Sequence, residues 1–222
     1  MKKVFVHLFV ASSLMLGVTS CKDGNKETET SAAEEVAKAE AAAVDYTVNT
    51  DESIINWVGS KPTEDHTGTI KLKEGQVSVQ ENKLQSGMFV VDMTSINVTD
   101  LEGDEKASLE GHLKGSTKEK EDHFFNVSQY PTAKFEVTGI SENDGQKMLS
   151  GNLTMKGKTK NISIPVTTTF DGNKMMLTSD EFMINRTEWG VNYASKSVFD
   201  DLKDNFVNDD IKLKISLVAN KA

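Results

Sequence analysis

The chain has a single cysteine, Cys21, and only three prolines and two tryptophans among its 222 residues. One cysteine rules out an intrachain disulfide and any metal site built from several thiolates. Positive charge is also in deficit, with 34 acidic residues against 25 basic ones and a net charge of −9. No basic stripe interleaved with aromatics occurs, so the chain is ill-suited to bind nucleic acid, whose phosphates demand a concentrated Lys/Arg surface. Phosphate-cradling glycine loops, a placeable serine–histidine–acid set and repeats of about 20 to 50 residues are all missing. What is present, 27% charged and 37% apolar residues, is ordinary for a folded domain.

The N-terminus reads as an address. Met1-Lys2-Lys3 is followed by an apolar run, Val4 to Gly17, interrupted by His7, Ser12 and Ser13 and too short to span a ~30 Å hydrocarbon core. Val18-Thr19-Ser20-Cys21 resembles a bacterial lipoprotein signal: an aliphatic residue, two small ones, then the cysteine that receives lipid. Residues 1–20 are expected to be a signal peptide, Cys21 the lipidation site and 21–44 a flexible tether to the membrane. Two or three acyl chains at ~0.8 kcal/mol per methylene hold a protein almost permanently. The stretch after Cys21 has no aromatic residue and little to bury; as a coil it would span roughly 25–30 Å. Ala32 to Ala43 could form a nascent helix, which about 12 residues barely sustain alone. Lys22-Asp23 partly resembles a surface-export signal, so the expected location is the cell envelope, facing either the periplasm or the exterior.

From Asp45 onward, period-two alternation between turn residues marks half-buried antiparallel strands. Tyr46–Thr50 and Ser53–Ser60 are expected to pair, Gly75 to turn the chain, and Leu84–Met93, apolar on both faces, to be buried on both. Thr94–Asp100 reads as a polar exit. Asp104 is the expected N-cap of a short helix reaching Lys114, with Leu109 and Leu113 as its buried stripe. Two adjacent phenylalanines, Phe124-Phe125, then precede the strand from Thr132. Later strands cover Leu149–Met155, Ile162–Phe170, Met175–Asn185 and Ile211–Leu217, and Pro165 suggests an edge or irregular position. About eight strands with one helical insertion fit an all-β barrel or sandwich, the barrel preferred because it leaves no open edges.

Candidates for chemistry are few. His66, His112 and His123 with nearby acids could hold zinc, but their spacing follows no ligand pattern; otherwise His66 and His112 are hydrogen-bonded structural residues and His123 sits in a solvated loop. Arg186, ending an apolar strand, needs a partner or a ligand headgroup. Asn97, Asn126, Asn152, Asn161 and Asn185 begin Asn-x-Ser/Thr triplets that read as accidental.

Several of these residues carry a resemblance. Trp57 with Gly59, His66-Thr67-Gly68, Gly87 with Phe89 and Val91-Asp92-Met93, Leu109 with His112-Leu113, Phe124-Phe125, Tyr130-Pro131 with Ala133 and Phe135, Gly151 with Leu153-Thr154 and Gly157, and Arg186 with Trp189-Gly190 together resemble the lipocalin-like polyisoprenoid-binding family called YceI-like, from Tyr46 to Leu217. The segment Lys114–His123 is longer and more charged than the link usual there. The resemblance implies an eight-stranded antiparallel barrel over residues 45–222 that binds an isoprenoid lipid or quinone without catalysis or a cofactor, for sequestration or transport. Phe89, Val91, Phe135, Val137, Leu153, Met155, Ile164 and Ile184 are the expected interior, with Phe124 at the cap and Arg186 at the head. The competing readings are a metal-assisted enzyme using the three histidines and a surface interaction module. Oligomeric state stays open, a homodimer included.

Overall fold

Among the described residues, ten strand segments realise the alternation: β1 (Val44–Val48), β2 (Ile54–Lys61), β3 (Glu64–Gln80), β4 (Lys83–Val98), β5 (Thr132–Asn143), β6 (Gln146–Met155), β7 (Lys158–Asp171), β8 (Lys174–Ser179), β9 (Phe182–Asn185) and β10 (Asp210–Lys221), with one α-helix, α1 (Gly103–Lys114), and a 3-10 turn at Arg186–Trp189. The computed structural model describes residues 27–143 and 145–222. The expected signal peptide and Cys21 lie outside the described residues.

The strands close in the antiparallel order β10-β2-β3-β4-β5-β6-β7-β8, with β8 returning to β10. This is the expected eight-stranded ring, and the two extra segments come from broken strands. β1 and β2 do not pair with each other; both run antiparallel to β3 and β10, one beyond the end of the other. The Asn49 side chain accepts the N–H groups of Asp51 and Glu52, making a kink instead of a reversal. Likewise the expected strand Met175–Asn185 breaks between β8 and β9, both lying against β10.

Three further expectations are corrected. Gly75 does not turn the chain but sits within β3, where a Cβ would stand 2.7 Å from Val48 Cγ2; it is needed for close packing. The turn comes at Glu81 and Asn82, both with positive φ. β4 continues to Val98 instead of ending in a polar exit, and its outer face is not buried, since Met88 is 38% exposed. The N-cap of α1 is Glu102, placing Asp104 in the first turn, where an acid meets the positive end of the helix.

The largest departure is the tether. Residues 27–43 form neither free coil nor helix but a strap along the outside of the barrel. Thr28 N–H donates to the Met183 carbonyl, Ser31 exchanges both backbone bonds with Asn161, Glu34 does so with the Asn152 side chain, and Ala37 N–H reaches the Val137 carbonyl. An isolated short helix is marginal in water, whereas these partners are already fixed in the sheet. The strap meets two places where the ring is thin. β8 pairs with β7 only from Val166, and β10 is the one wall strand that β9 pairs with among the described residues, so the first half of β7 faces a seam. β4 pairs with β5 only up to Glu136, next to Val137.

Candidate ligand-binding site

Inside the ring is a cavity of about 690 Å³, within the ≈ 300–1,000 Å³ typical of small-molecule sites. Ile211, Leu213, Ile215 and Leu217 of β10 all line it, so at ~3.3 Å per residue it runs about 20 Å along the strand. Of the residues expected to face the ligand, Phe89, Val91, Phe124, Phe135, Leu153, Met155, Ile164, Ile184 and Arg186 line this cavity. Val137 does not. It is fully buried beside Val77 at the far end, where a Cβ on Gly87 would lie 2.9 Å from Val77 Cγ1 and 3.4 Å from Val137 Cγ2. Val137 belongs to the buried core, as the resemblance implied, but small aliphatic side chains fill that end.

The mouth is assembled from α1, the loop 115–131 and the loop 191–209. α1 ends in a Schellman motif at Gly115 (φ 75°): Gly115 N–H donates to His112 and Ser116 N–H to Gly111. This closure frees the next carbonyls for the following loop, as the motif allows; Phe125 N–H donates to Leu113 and Val127 N–H to Lys114. Phe124 and Phe125 are thereby turned over the cavity with Leu109 and Leu113. The charged insertion is pinned by an Asp122–Lys156 ion pair of 2.8 Å, and the Lys156 hydrogen bond holds the Asp122 carboxyl below its ordinary range.

A ring cluster ties these segments together. His112 Nε2 and His123 Nδ1 share a hydrogen bond of 2.9 Å, His123 stacks on Tyr193 at 4.3 Å, and His112 stands edge-on to Phe124 and Tyr193. His123 is therefore not in a solvated loop. Burial, then the His123 charge and Lys120, lower the His112 pKa. Tyr193 escaped sequence reasoning because its loop has no periodicity; only its position after the Arg186 to Gly190 segment pointed there.

Arg186 is fully buried, and its donors are used within the protein. Nε donates to Asn208, one terminal nitrogen to Val191, and the other to Tyr193 and Val207, with Asp209 Oδ1 at 3.5 Å. Burial lowers its pKa and Asp209 opposes the shift. The guanidinium thus shapes the loop 191–209 from within the cavity wall instead of offering a free headgroup contact. His66 also lines the cavity, with Nδ1 on Asp100 Oδ2 at 2.9 Å. Among the described residues no group of three or more His, Cys, Asp or Glu side chains is arranged to hold a metal ion.

A closed antiparallel ring around a deep apolar cavity, roofed by a helix and two loops, defines a β-barrel of the lipocalin-like kind. The model of the YceI-like domain matches residues 46–219, and the chain belongs to that family. Among solved structures it is similar to BcnA of Burkholderia cenocepacia, at 22% identity and a TM-score of 0.60 over 77% of this chain and 98% of that one. It is also similar to a polyisoprenoid-binding domain from Saccharophagus degradans implicated in plant cell wall breakdown, at 15% identity and a TM-score of 0.57 over 81% and 99%. Among curated proteins no match was found.

Proposed function

We propose that this protein binds an isoprenoid lipid, a quinone or another polyprenyl amphiphile, in the barrel cavity and sequesters or carries it within the cell envelope, anchored by lipid on Cys21. The observation that carries the reading is the cavity itself, a deep slot of aliphatic and aromatic side chains. Burying a prenyl chain there releases about 25 cal/mol per Å² of apolar surface. The polar groups at the mouth are engaged with one another, as Arg186 and the His112–His123 pair show, which suits retention of a ligand more than its transformation. Membership of the YceI-like family and the likeness to a polyisoprenoid-binding domain support the ligand class. The role needs no cofactor.

Native mass spectrometry of the protein purified from cell envelopes, followed by lipid extraction, tests this. One prenyl lipid per chain is expected, or uptake of one from added quinone. Protein that neither carries nor takes up any prenyl lipid would overturn the reading.

A further inference from the structure

We propose that the loop carrying Val198 and Phe199 docks the barrel onto a zwitterionic lipid leaflet, so that the cavity mouth faces the bilayer. This inference rests on anchorage at Cys21, the reading given above.

Two independent observations converge on that face. The first is a pair of adjacent apolar side chains left in water: Val198 is 44% exposed and Phe199 49%. They belong to the mouth loop itself, whose Tyr193, Ala194 and Phe206 line the cavity. The second is where the first described residues of the strap lie. Thr28 N–H is bonded to Met183 of β9, and Thr30 Oγ1 donates to Glu188 in the turn that follows β9. Two residues beyond Met183, Asn185 pairs with Asp210. The neighbouring Asp209 accepts a hydrogen bond from Ser197, next to Val198. The strap therefore enters at the rim of the mouth, on the side of the exposed pair.

Because the strap is bonded down from Thr28, at most residues 22–26 separate Cys21 from the strap, whose first contact among the described residues is at Glu27. Six fully extended residue steps reach at most about 20 Å. A lipid on Cys21 therefore holds the mouth rim at the membrane surface, which a coil ending at Val44 would not do. The local charge selects the surface: Asp200, Asp201 and Asp204 outnumber Lys196 and Lys203 on this loop, so an anionic leaflet would repel it. An apolar pair beside the mouth, pressed to a neutral interface, gives a prenyl chain a path into the cavity that avoids water.

The test couples the mature chain from Cys21, through its thiol, to a maleimide lipid in vesicles of phosphatidylcholine and phosphatidylethanolamine, some acyl chains being brominated. Phe199→Trp adds an indole at the exposed position, to be read against the parent tryptophans. The expected result is at least twofold stronger quenching of the Phe199→Trp emission than of the parent's. It should fall severalfold when a flexible insert of about 20 Gly/Ser residues separates Lys26 from Glu27, and weaken when phosphatidylserine is added. Quenching no stronger than the parent's would overturn the proposal. So would shielding of Phe199→Trp that needs no vesicles and grows with protein concentration, which would assign the patch to a second copy of this chain. Anchorage is read separately, from the mass of the Cys21 peptide in native membranes. An unacylated Cys21 would sink the anchorage reading while leaving the quenching result to judge the docking face.

Discussion

Asn161 Nδ2 donates to Asn152 Oδ1 at 3.0 Å across the β6–β7 ladder, and both side chains are buried although they stand on the outer face of the barrel. The strap is what covers them. Asn152 is bonded to Glu34 through both its oxygen and its amide, and Asn161 Nδ2 continues the row to Thr138 Oγ1. Each alanine substitution here leaves buried donors or acceptors unpaired, at about 1–3 kcal/mol.

Asn152→Ala is therefore expected to lower unfolding stability by about 1–3 kcal/mol and to speed amide hydrogen exchange at Glu34 and Ala37 well before the strands exchange. The amides of β2 and β10 serve as internal reference. Unchanged exchange along the strap would mean that it is held by something other than this side chain.

How much of this was legible depends on the range of the interaction. Alternation marked the wall strands but not their ends, splitting β3 at Gly75 and running β8 into β9, and with the resemblance it named most of the cavity lining, because inward and outward residues differ locally in polarity. It failed at Val137, where depth along the strand, not parity, decides whether a residue meets the cavity. It failed again at the strap: Ala, Glu, Lys and Thr between 27 and 43 bury little side chain, and what holds them is backbone bonding to Asn152, Asn161 and Val137. Such partners leave no pattern in the strap's own sequence. Arg186 was legible as a cation needing a partner, but its partners are carbonyls, which every residue has.

Arg186→Lys should break the mouth loop. A lysine cannot serve the carbonyls of Val191, Tyr193, Val207 and Asn208 from one planar fork. Disrupting a buried charge of this kind costs about 3–5 kcal/mol. Limited proteolysis at Lys196 and Lys203 should accelerate alongside the loss in denaturation midpoint. A loop that stays protease-resistant in the variant would show that the guanidinium network is dispensable.

Phe124→Ala removes a buried ring that lines the cavity beneath the His112–Tyr193 cluster. A loss of about 1.5–3 kcal/mol is expected from the burial alone, together with faster escape of a bound prenyl lipid. Alanine at Lys118 or Lys120, on exposed positions of the same loop, should change stability by no more than about 0.5 kcal/mol. Equal effects from the two sets would mean that the loop does not roof the cavity.

The His112–His123 bond makes the roof sensitive to acid. One imidazole must offer an unprotonated nitrogen to the other at 2.9 Å, and burial, the His123 charge and Lys120 hold the His112 pKa below its ordinary 6.5. The folded state thus binds its proton less readily than the unfolded chain, so the contribution is fully present above about pH 6.5 and is lost as pH falls through the lowered value. Around the pair stand Lys120, Tyr193 and Phe124, with Glu110 and Lys114 on the same helix. The carboxyls of Asp100, Asp122 and Glu188 have lowered pKa values and stay ionised through this window. Urea denaturation at about pH 7.5 and about pH 5 should show a midpoint that falls on acidification. In His112→Gln, which cannot take up the proton, that fall should shrink. A parent midpoint indifferent to pH across the window would show that the pair opens without cost, and the roof would have to be held by Phe124, Leu109 and Leu113 alone.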